Sequence, residues 1–533
     1  MTRFMTTLCS SLVLLLFLIS SPLCAETYYV DSTSGNDAFA GTSVDTAWQT
    51  LGKVNERTFL PGDQLLFKAG SAYEGQLHPQ GSGDIVNEVV RPIVIDVYGE
   101  GPKPRIDGCG VMPATVHLYN VACWEIHNLE ITNTGQSRRA GRRGVLIEIE
   151  DYGTARHVQL VGLYIHDVNG SLVKKEGGGS AIKWSSRGRN IPSRFDGLLI
   201  EGCHLARCER NGVNSSGMTR RGEGWFPSLN VVIRNNLLEE IPGDGIVPIA
   251  CDGAIVEHNV MRNCPRLLPQ GEAAAGIWPW SSDNTIIQYN EVSDHKAPWD
   301  AQGFDSDWNC QGTLIQYNYS HDNEGGFLLI CNKGDADLPS NIGNIGTVVR
   351  YNISVNDGVR PTPTRAKGLF SPTFHISGPC RDTQIYNNLI LIGEKPSPDM
   401  HRTVLYMDNW GGPWPEETRI WNNVFHTEET TSWRYGEATG TVFANNFYSG
   451  THQDRPDDPT GVVLDPAHIE QAWNELKQSD LERNRRDLER FRPAPGSPLI
   501  GAGRIVPDSG GVDFSGDPLP DDGRPTIGAF EPM

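Results

Sequence analysis

A chain of 533 residues would ordinarily divide into several domains, and its formal charge of −20, from 45 basic and 65 acidic residues, excludes a nucleic-acid-binding surface and gives no long-range attraction for polyanions. The 58 glycines and the 38% share of hydrophobic residues fit many turns and short strands better than a helical core. Beyond the N-terminal stretch no apolar run is long enough to span a bilayer, so no membrane insertion is expected.

The chain opens with Arg3, an apolar run from Leu12 to Ile19, then Ser20, Ser21, Pro22 and a small residue at Ala25. That order of charged, apolar and small residues reads as a signal peptide over residues 1–25, with a mature start near Glu26 in a secreted or periplasmic protein. Leu23 stands where lipidation of Cys24 would need a small residue. Removing Arg3 makes the charge −21, and removing Cys9 and Cys24 leaves nine of the eleven cysteines, an odd number that excludes a fully paired disulfide framework.

Residues 26–90 read as an N-terminal cap and first strands. Asp45 to Glu56 is acidic at its start and amphipathic, and is predicted to be a helix closing the first coil. From about 91 to 450 one phrase recurs: two or three aliphatic or β-branched residues, two variable positions, then asparagine. It ends on Asn236, Asn259, Asn290, Asn318, Asn352, Asn388, Asn423 and Asn446, at spacings of 23, 31, 28, 34, 36, 35 and 23 residues. Weaker copies keep the spacing without the asparagine at Ile126 to Leu129, Leu160 to Leu163 and Ile200 to Cys203.

Short strands without intervening helices cannot build a βαβ sheet, and so variable a period does not suit a propeller. A coil that returns to the same point stacks its strands in parallel, about 4.8 Å per coil, and brings the asparagines one above another with their amides able to bond in series. The predicted fold is therefore all-β: a single-stranded right-handed parallel β-helix of about ten coils with short helical caps. Residues 451–533 are predicted to hold a closing segment in which Ile469, Trp473, Leu476, Leu481, Leu488 and Phe491, spaced among charges, form one or two helices on the barrel.

The opening Tyr28-Tyr29-Val30-Asp31 with Gly35-Asn36-Asp37, the Leu60-Pro61-Gly62-Asp63 segment, and the ending Gly496-Ser497-Pro498 with Thr526 to Glu531 resemble the two ends of the pectate-lyase-like superfamily of right-handed parallel β-helix proteins. That superfamily consists mostly of polysaccharide lyases, hydrolases and epimerases. The resemblance implies a carbohydrate-active protein with a polysaccharide or oligosaccharide partner, and glycoside hydrolase family 141 is the nearest comparison. Fold resemblance does not by itself assign a reaction.

Counting ten residues back from the hydrophobic position of each repeat puts Asp305 and His375 in one column two coils apart, with Ile277 and Ile246 in the same register. Period-two alternation places Asp305 and Asp307 together on the outer face, and Phe304, Ser306 and Trp308 on the core face with Val247 and Ile249. Two carboxylates whose Cα atoms lie some 6 to 7 Å apart repel, raise one pKa and divide into acid and base, as glycoside hydrolysis needs. Asp244, in Gly243-Asp244-Gly245, is a candidate third carboxylate and His375 a candidate partner; either can also be an ordinary turn or surface residue.

Trp299, Trp410 and Trp414 fall in loops and are candidate platforms for sugar rings, while Trp280 and Trp308 align with core positions. Lys333 is a candidate substrate-binding cation, and Lys333, Arg350 and Arg381 are the basic residues nearest the acidic strands. Cys251, Cys310 and Cys380 fall in one column on alternate coils, too far apart to bond and expected to be buried. No CxxC pair suggests zinc and no metal site is expected from spacing; Ca²⁺ enters only with a lyase.

The expected function is a secreted glycoside hydrolase cleaving a complex or acidic polysaccharide, acting as a monomer. A Ca²⁺-dependent polysaccharide lyase and a non-catalytic glycan-binding or adhesin solenoid remain open.

Overall fold

The computed structural model describes residues 25–222, 224–333, 340–364, 367–395, 397, 399–400, 402–462, 467–478, 485–520 and 523–532. The signal peptide expected over 1–25 lies almost wholly outside them, as does Leu481.

The protein is a right-handed parallel β-helix. Three long sheets run its length: one of fifteen strands that starts at Thr27–Val30, one of thirteen strands that starts at Ala72–Glu74, and a third broken into a five-stranded and a six-stranded part. Neighbouring strands pair in parallel; the antiparallel exception among them is the small hairpin of Asp84–Val86 with Val89–Arg91. The thirteen-stranded sheet shows more coils than the expected ten. The surplus lies at the N-terminal end, where the coils lack the asparagine and where the cap was expected, yet Thr27–Val30 already pairs with Gln64–Lys68 and that strand with Ile93–Tyr98.

The predicted helix over Asp45 to Glu56 is broken. Val44–Thr46 is a single 3₁₀ turn, Trp48 bridges to Val30 and stacks on Tyr28 with ring centroids 4.9 Å apart, and only Leu51–Asn55 is α-helical. An indole that closes the open end of the barrel outweighs the helical propensity of its neighbours.

The repeat's hydrophobic position forms an unbroken inner column, Ile233, Val256, Ile287, Ile315, Val349, Ile385, Ile420 and Phe443, each paired with the next. Three residues on, the asparagines are buried and bonded in series. Asn236 Nδ2 donates to Asn259 Oδ1 at 2.8 Å, and the same bond runs through Asn290, Asn318, Asn352, Asn388 and Asn423 to Asn446, which donates to Asp458. Each amide also accepts the backbone N–H of the coil before it, as from Asn290 to Asn318 at 2.9 Å.

The residue just before each of these asparagines takes a left-handed backbone, with φ between 49° and 56° from Asn235 to Asn445. Tyr289, Tyr317 and Tyr351 do so without glycine's freedom. Their rings compensate by stacking on the outside, at 4.9 Å from His258 to Tyr289, 5.0 Å to Tyr317 and 5.9 Å to Tyr351.

The closing segment flanks the barrel rather than capping its end. The helix Ala467–Gln478 and the 3₁₀ turn Arg485–Phe491 bring Ile469, Trp473, Leu476, Leu488 and Phe491 onto Ile353, Val355, Leu389, Leu391 and Val424, which face outward from the thirteen-stranded sheet. Cys251 and Cys310 share a register with Ser282 between them, and Cys310 and Cys380 share one with Asn344 between them. All three thiols are buried and free.

The Asn318→Ala variant is expected to orphan the buried backbone N–H of Asn290 and to take one of their hydrogen bonds from the Asn290 and Asn352 side chains, costing about 1–3 kcal/mol for the N–H left without a partner. Urea unfolding followed by circular dichroism should show a lower midpoint; an unchanged midpoint would mean that the amide series adds nothing to coil stacking.

Candidate active site

The third sheet breaks where prolines interrupt it. Ile246–Val247 is followed by Pro248, and Gly276 to Trp280, with Pro279 inside it, keeps only isolated bridges to the coils on either side. Proline has no N–H to give a ladder, so the regular pairing thins to single bonds, among them Trp280 N–H to the Pro248 carbonyl at 3.1 Å and Asp307 N–H to the Pro279 carbonyl at 3.3 Å. A cleft of about 520 Å³ opens over these coils, lined by Asp244, Asp300, Asp305 and Asp307, by Trp278, Trp280, Trp299, Trp308 and Trp410, and by Lys174 and Cys331.

Asp305 and His375 do share a column, through Leu329 between them. Ile246 and Ile277 do not belong to it, because they pair with Phe304, one residue earlier. The left-handed turn residue follows Ile277 by four positions, at Ser281, but follows Phe304 by five, at Asn309. The extra residue ends the alternation after Ser306. Ser306 stays inside, bonded to Thr347 and Asn344 at 2.9 Å, while the adjacent Asp307 and Trp308 both line the cleft. Such one-residue insertions re-aim side chains.

Three expectations are corrected accordingly. Trp308 is a cleft wall and not a core residue. Trp280 lines the cleft as well, and Val247 and Ile249 pack outward with Ala275, Trp278 and Trp280 as its apolar side. Cys331 faces the cleft too: its thiol lies 3.0 Å from Asp307 Oδ1, apart from the inner column of cysteines.

Asp244 lies 3.6 Å from the fully buried Arg210 and 3.9 Å from Lys174, and accepts the backbone N–H of Ala275 at 3.2 Å. Lys174 sits 4.9 Å above the ring of Trp278. His375 is placed differently from the expectation. It is 2% exposed, bonded to Asp408 at 3.2 Å, and held below its ordinary pKa by burial, so it sits behind the wall and supports Trp410 at 5.5 Å between centroids. Trp299 and Trp410 line the cleft as expected, but Trp414 lines a separate one and Lys333 is exposed and away from both.

Asp300 is the residue that repeat-based reasoning misses. It lies in the irregular stretch before Gln302–Ser306 with φ 59°, and Arg360, buried beneath, donates to the carbonyls of Ala297 and Asp300 and fixes the loop. Its only sequence signal is an acid seven residues before Asp307 in a tryptophan-rich coil.

The electrostatics separate the acids. Asp305 is 3% exposed, and its Oδ1 is buried without a hydrogen-bond partner. Burial first, then the charges of Asp300, Asp307 and Asp244, push its pKa well above the carboxylate range, although the Leu329 N–H partly offsets this. Burial and the Asp307 charge raise Asp300 to about 7 against the pull of Arg360 and Lys174. Burial raises Asp307 to about 6, opposed by the Cys331 thiol, the Trp308 N–H at 2.7 Å and Lys174. The cluster thus holds protons at neutral pH, with the remaining charge favoured on Asp307.

Among the described residues no group of three or more His, Cys, Asp or Glu side chains is arranged to hold a metal ion. Arg350, one of the three basic residues expected nearest the acidic strands, is buried against Gln316 and Tyr386 away from the cleft.

The site is thus a cleft rimmed by aromatic rings around a coupled group of carboxyls on the face of a parallel β-helix. Residues 192–345 match the family model described as a right handed beta helix region. The chain is 28% identical over 615 aligned positions to the lacto-N-biosidase of Bifidobacterium longum subsp. longum, an alignment that takes in 95% of this chain and 36% of that protein. The chain therefore spans little more than a third of that relative's length. The crystal structure of the GH136 lacto-N-biosidase from Eubacterium ramulus, native protein, superposes with a TM-score of 0.55 at 28% identity, covering 72% of this chain and 67% of that one. Its selenomethionine derivative gives the same TM-score at 27% identity. The family number in those structures is 136, where the sequence resemblance suggests 141.

A raised carboxyl pKa favours the protonated native state, so stability is lost as pH rises from the unfolded value near 3.9 toward the folded value. Asp300→Asn should therefore raise the melting temperature at pH 8 and change it little at pH 4. Calorimetric scans at the two pH values check this, and equal shifts at both would place Asp300 in an unstrained site.

Proposed function

We propose that the chain is a glycoside hydrolase that releases lacto-N-biose, or a closely similar uncharged disaccharide, from the end of a glycan outside the cytoplasm. The observation that carries this reading is the trio Asp300, Asp305 and Asp307 with raised pKa values in one tryptophan-lined cleft. Support for the sugar comes from the lacto-N-biosidases with which the chain aligns. With the remaining negative charge on Asp307, with Asp244 set against Arg210 and with Lys174 as the cation at the rim, the cleft has no surplus of positive charge to hold a uronate, so the substrate is taken as neutral rather than acidic. Export by the N-terminal segment is part of the same proposal.

In this mechanism the sugar ring lies between Trp299, Trp410 and the Trp278–Trp280 wall. Asp300, with a pKa near 7 and open to the cleft, donates its proton to the leaving oxygen. Asp307, kept ionised by the Trp308 N–H and the Cys331 thiol, supplies negative charge at the anomeric carbon as positive charge develops there; water then adds to that carbon and its proton returns to the Asp300 carboxylate, which restores the starting state. Asp305 remains neutral, because its burial keeps it from ionising, and its buried Oδ1, which has no partner among the described residues, is the group that donates to the bound sugar.

Asp300→Asn and Asp307→Asn are each expected to lower kcat on p-nitrophenyl lacto-N-bioside by about 10² to 10⁴. Asp305→Asn should cost far less than Asp305→Ala, since an amide still donates. Comparable losses in both Asp305 variants would instead make Asp305 the acid. Release of reducing ends without unsaturated uronate distinguishes hydrolysis from lyase action, and absence of any product from the aryl glycoside would overturn the assignment.

The activity profile should be bell-shaped with its maximum between about 6 and 7, since Asp307 must be ionised and Asp300 protonated. Cys331→Val, which removes the thiol from Asp307, should move the acidic limb to higher pH, and Cys331→Ser should restore it. An acidic limb unchanged in Cys331→Val would remove the thiol from this role.

A further inference from the structure

A second cleft, of about 390 Å³, lies around the turn from the first, lined by Gln311, Ile342, Ile345, Pro379, Cys380, Arg381, Pro413, Trp414 and Glu416. It belongs to the same coils. Cys310–Gln311 begins two residues after Trp308 of the acidic cleft and pairs with Asn344–Ile345, which pairs with Cys380–Arg381, which bridges to Glu416. From Asp307 to Gln311 the chain spans at most about 14 Å.

The cleft floor is apolar while its rim is polar and unengaged. Arg381 and Glu416 stand in register on neighbouring coils, yet among the described residues they form no ion pair, and Gln311 has no side-chain hydrogen bond. Elsewhere opposite charges on neighbouring coils close up, as Arg234 does with Glu201 and Arg262 with Glu239 at 2.8 and 2.9 Å. Trp414 is half-buried at the rim, and its ring rests against Gly436. A Cβ there would lie 2.0 Å from the indole, so the glycine, at φ 56°, leaves the space in which the ring is seated.

One loop, Asn409-Trp410-Gly411-Gly412-Pro413-Trp414, presents Trp410 to the acidic cleft and Trp414 to this one. We infer that the second cleft binds the part of a neutral oligosaccharide that continues beyond the disaccharide held at the acids, with Trp414 as the stacking platform and Arg381, Glu416 and Gln311 bonding its hydroxyls. The inference rests on the hydrolase reading for its direction. Its chemistry is that of sugar recognition in general: an aromatic face for C–H groups and charged or amide side chains free to meet hydroxyls.

The test compares kcat/KM on p-nitrophenyl lacto-N-bioside with kcat/KM on a neutral oligosaccharide that carries lacto-N-biose at its end and several sugars beyond it. The native enzyme should favour the longer substrate, and Trp414→Ala should reduce that preference about three- to tenfold through KM, as expected for loss of one aromatic stack. Arg381→Ala should reduce it in the same sense. Calorimetric titration of the longer oligosaccharide into Asp307→Asn, and into the same variant with Trp414→Ala, reads binding without turnover, and thermal melts verify folding. Turnover of both substrates with a length preference that Trp414→Ala leaves intact overturns the second cleft alone. Turnover of neither overturns the hydrolase reading, and the titration then decides the cleft: binding weakened by Trp414→Ala upholds it, and binding that is absent or indifferent to Trp414 overturns it.

Discussion

Parallel pairing of each coil with the next is the constraint from which the rest follows. It fixes the rise at about 4.8 Å and forces each residue to lie over its equivalent one coil below. A side chain that is good at one level must therefore be good beside a copy of itself. Aliphatic residues satisfy this inside, where Ile287, Ile315 and Val349 fill the barrel. Asparagine satisfies it at the turn, because its amide both donates and accepts and so bonds to an identical neighbour. Tyrosine satisfies it outside by stacking, which helps explain how Tyr289, Tyr317 and Tyr351 tolerate left-handed backbones.

The same constraint makes function costly to place. Aspartate over aspartate is repulsive, and here Asp300, Asp305 and Asp307 crowd one short stretch above Asp244. The protein accommodates them by leaving protons on the group and by setting Arg210, Arg360 and Lys174 around it. It also limits vertical stacking: Leu329 follows Asp305 in the column, and the acids gather instead from a loop and from the C-terminal end of one strand. The destabilisation is local, and neighbouring coils with intact asparagines and inner aliphatics hold the frame.

Much of this was legible in the sequence because stacking writes itself as repetition. The asparagine spacing carried the fold, the inner column, the column of Cys251, Cys310 and Cys380, and the vertical relation of Asp305 to His375. Legibility failed where repetition failed. The first coils lack the asparagine and read as a cap. Trp48 breaks a segment whose polarity pattern is helical. Asp300 lies in an irregular stretch joined to the coil below by a single bridge to Ala274, and the asparagine spacing carries no register into that stretch. Alternation points Trp280 and Trp308 inward, but the extra residue between Phe304 and Asn309 and the prolines at 248 and 279 end the alternation.

The interruptions and the site coincide for a physical reason. A regular coil presents a flat or gently convex outer face, on which a carboxylate would be hydrated, ordinary in pKa and unable to exclude water from a sugar. Raising a carboxyl toward neutrality requires burial, and burial on an outer face requires a depression with walls. Pro248 and Pro279 interrupt the regular ladder at the floor, and the surplus residue turns Asp307 and Trp308 outward together. The loops before Gln302 and after Asp408 raise the walls with Trp299 and Trp410. The regular part of the sequence supplies rigidity, so the irregular part can hold charged groups in an arrangement that would not be stable on its own.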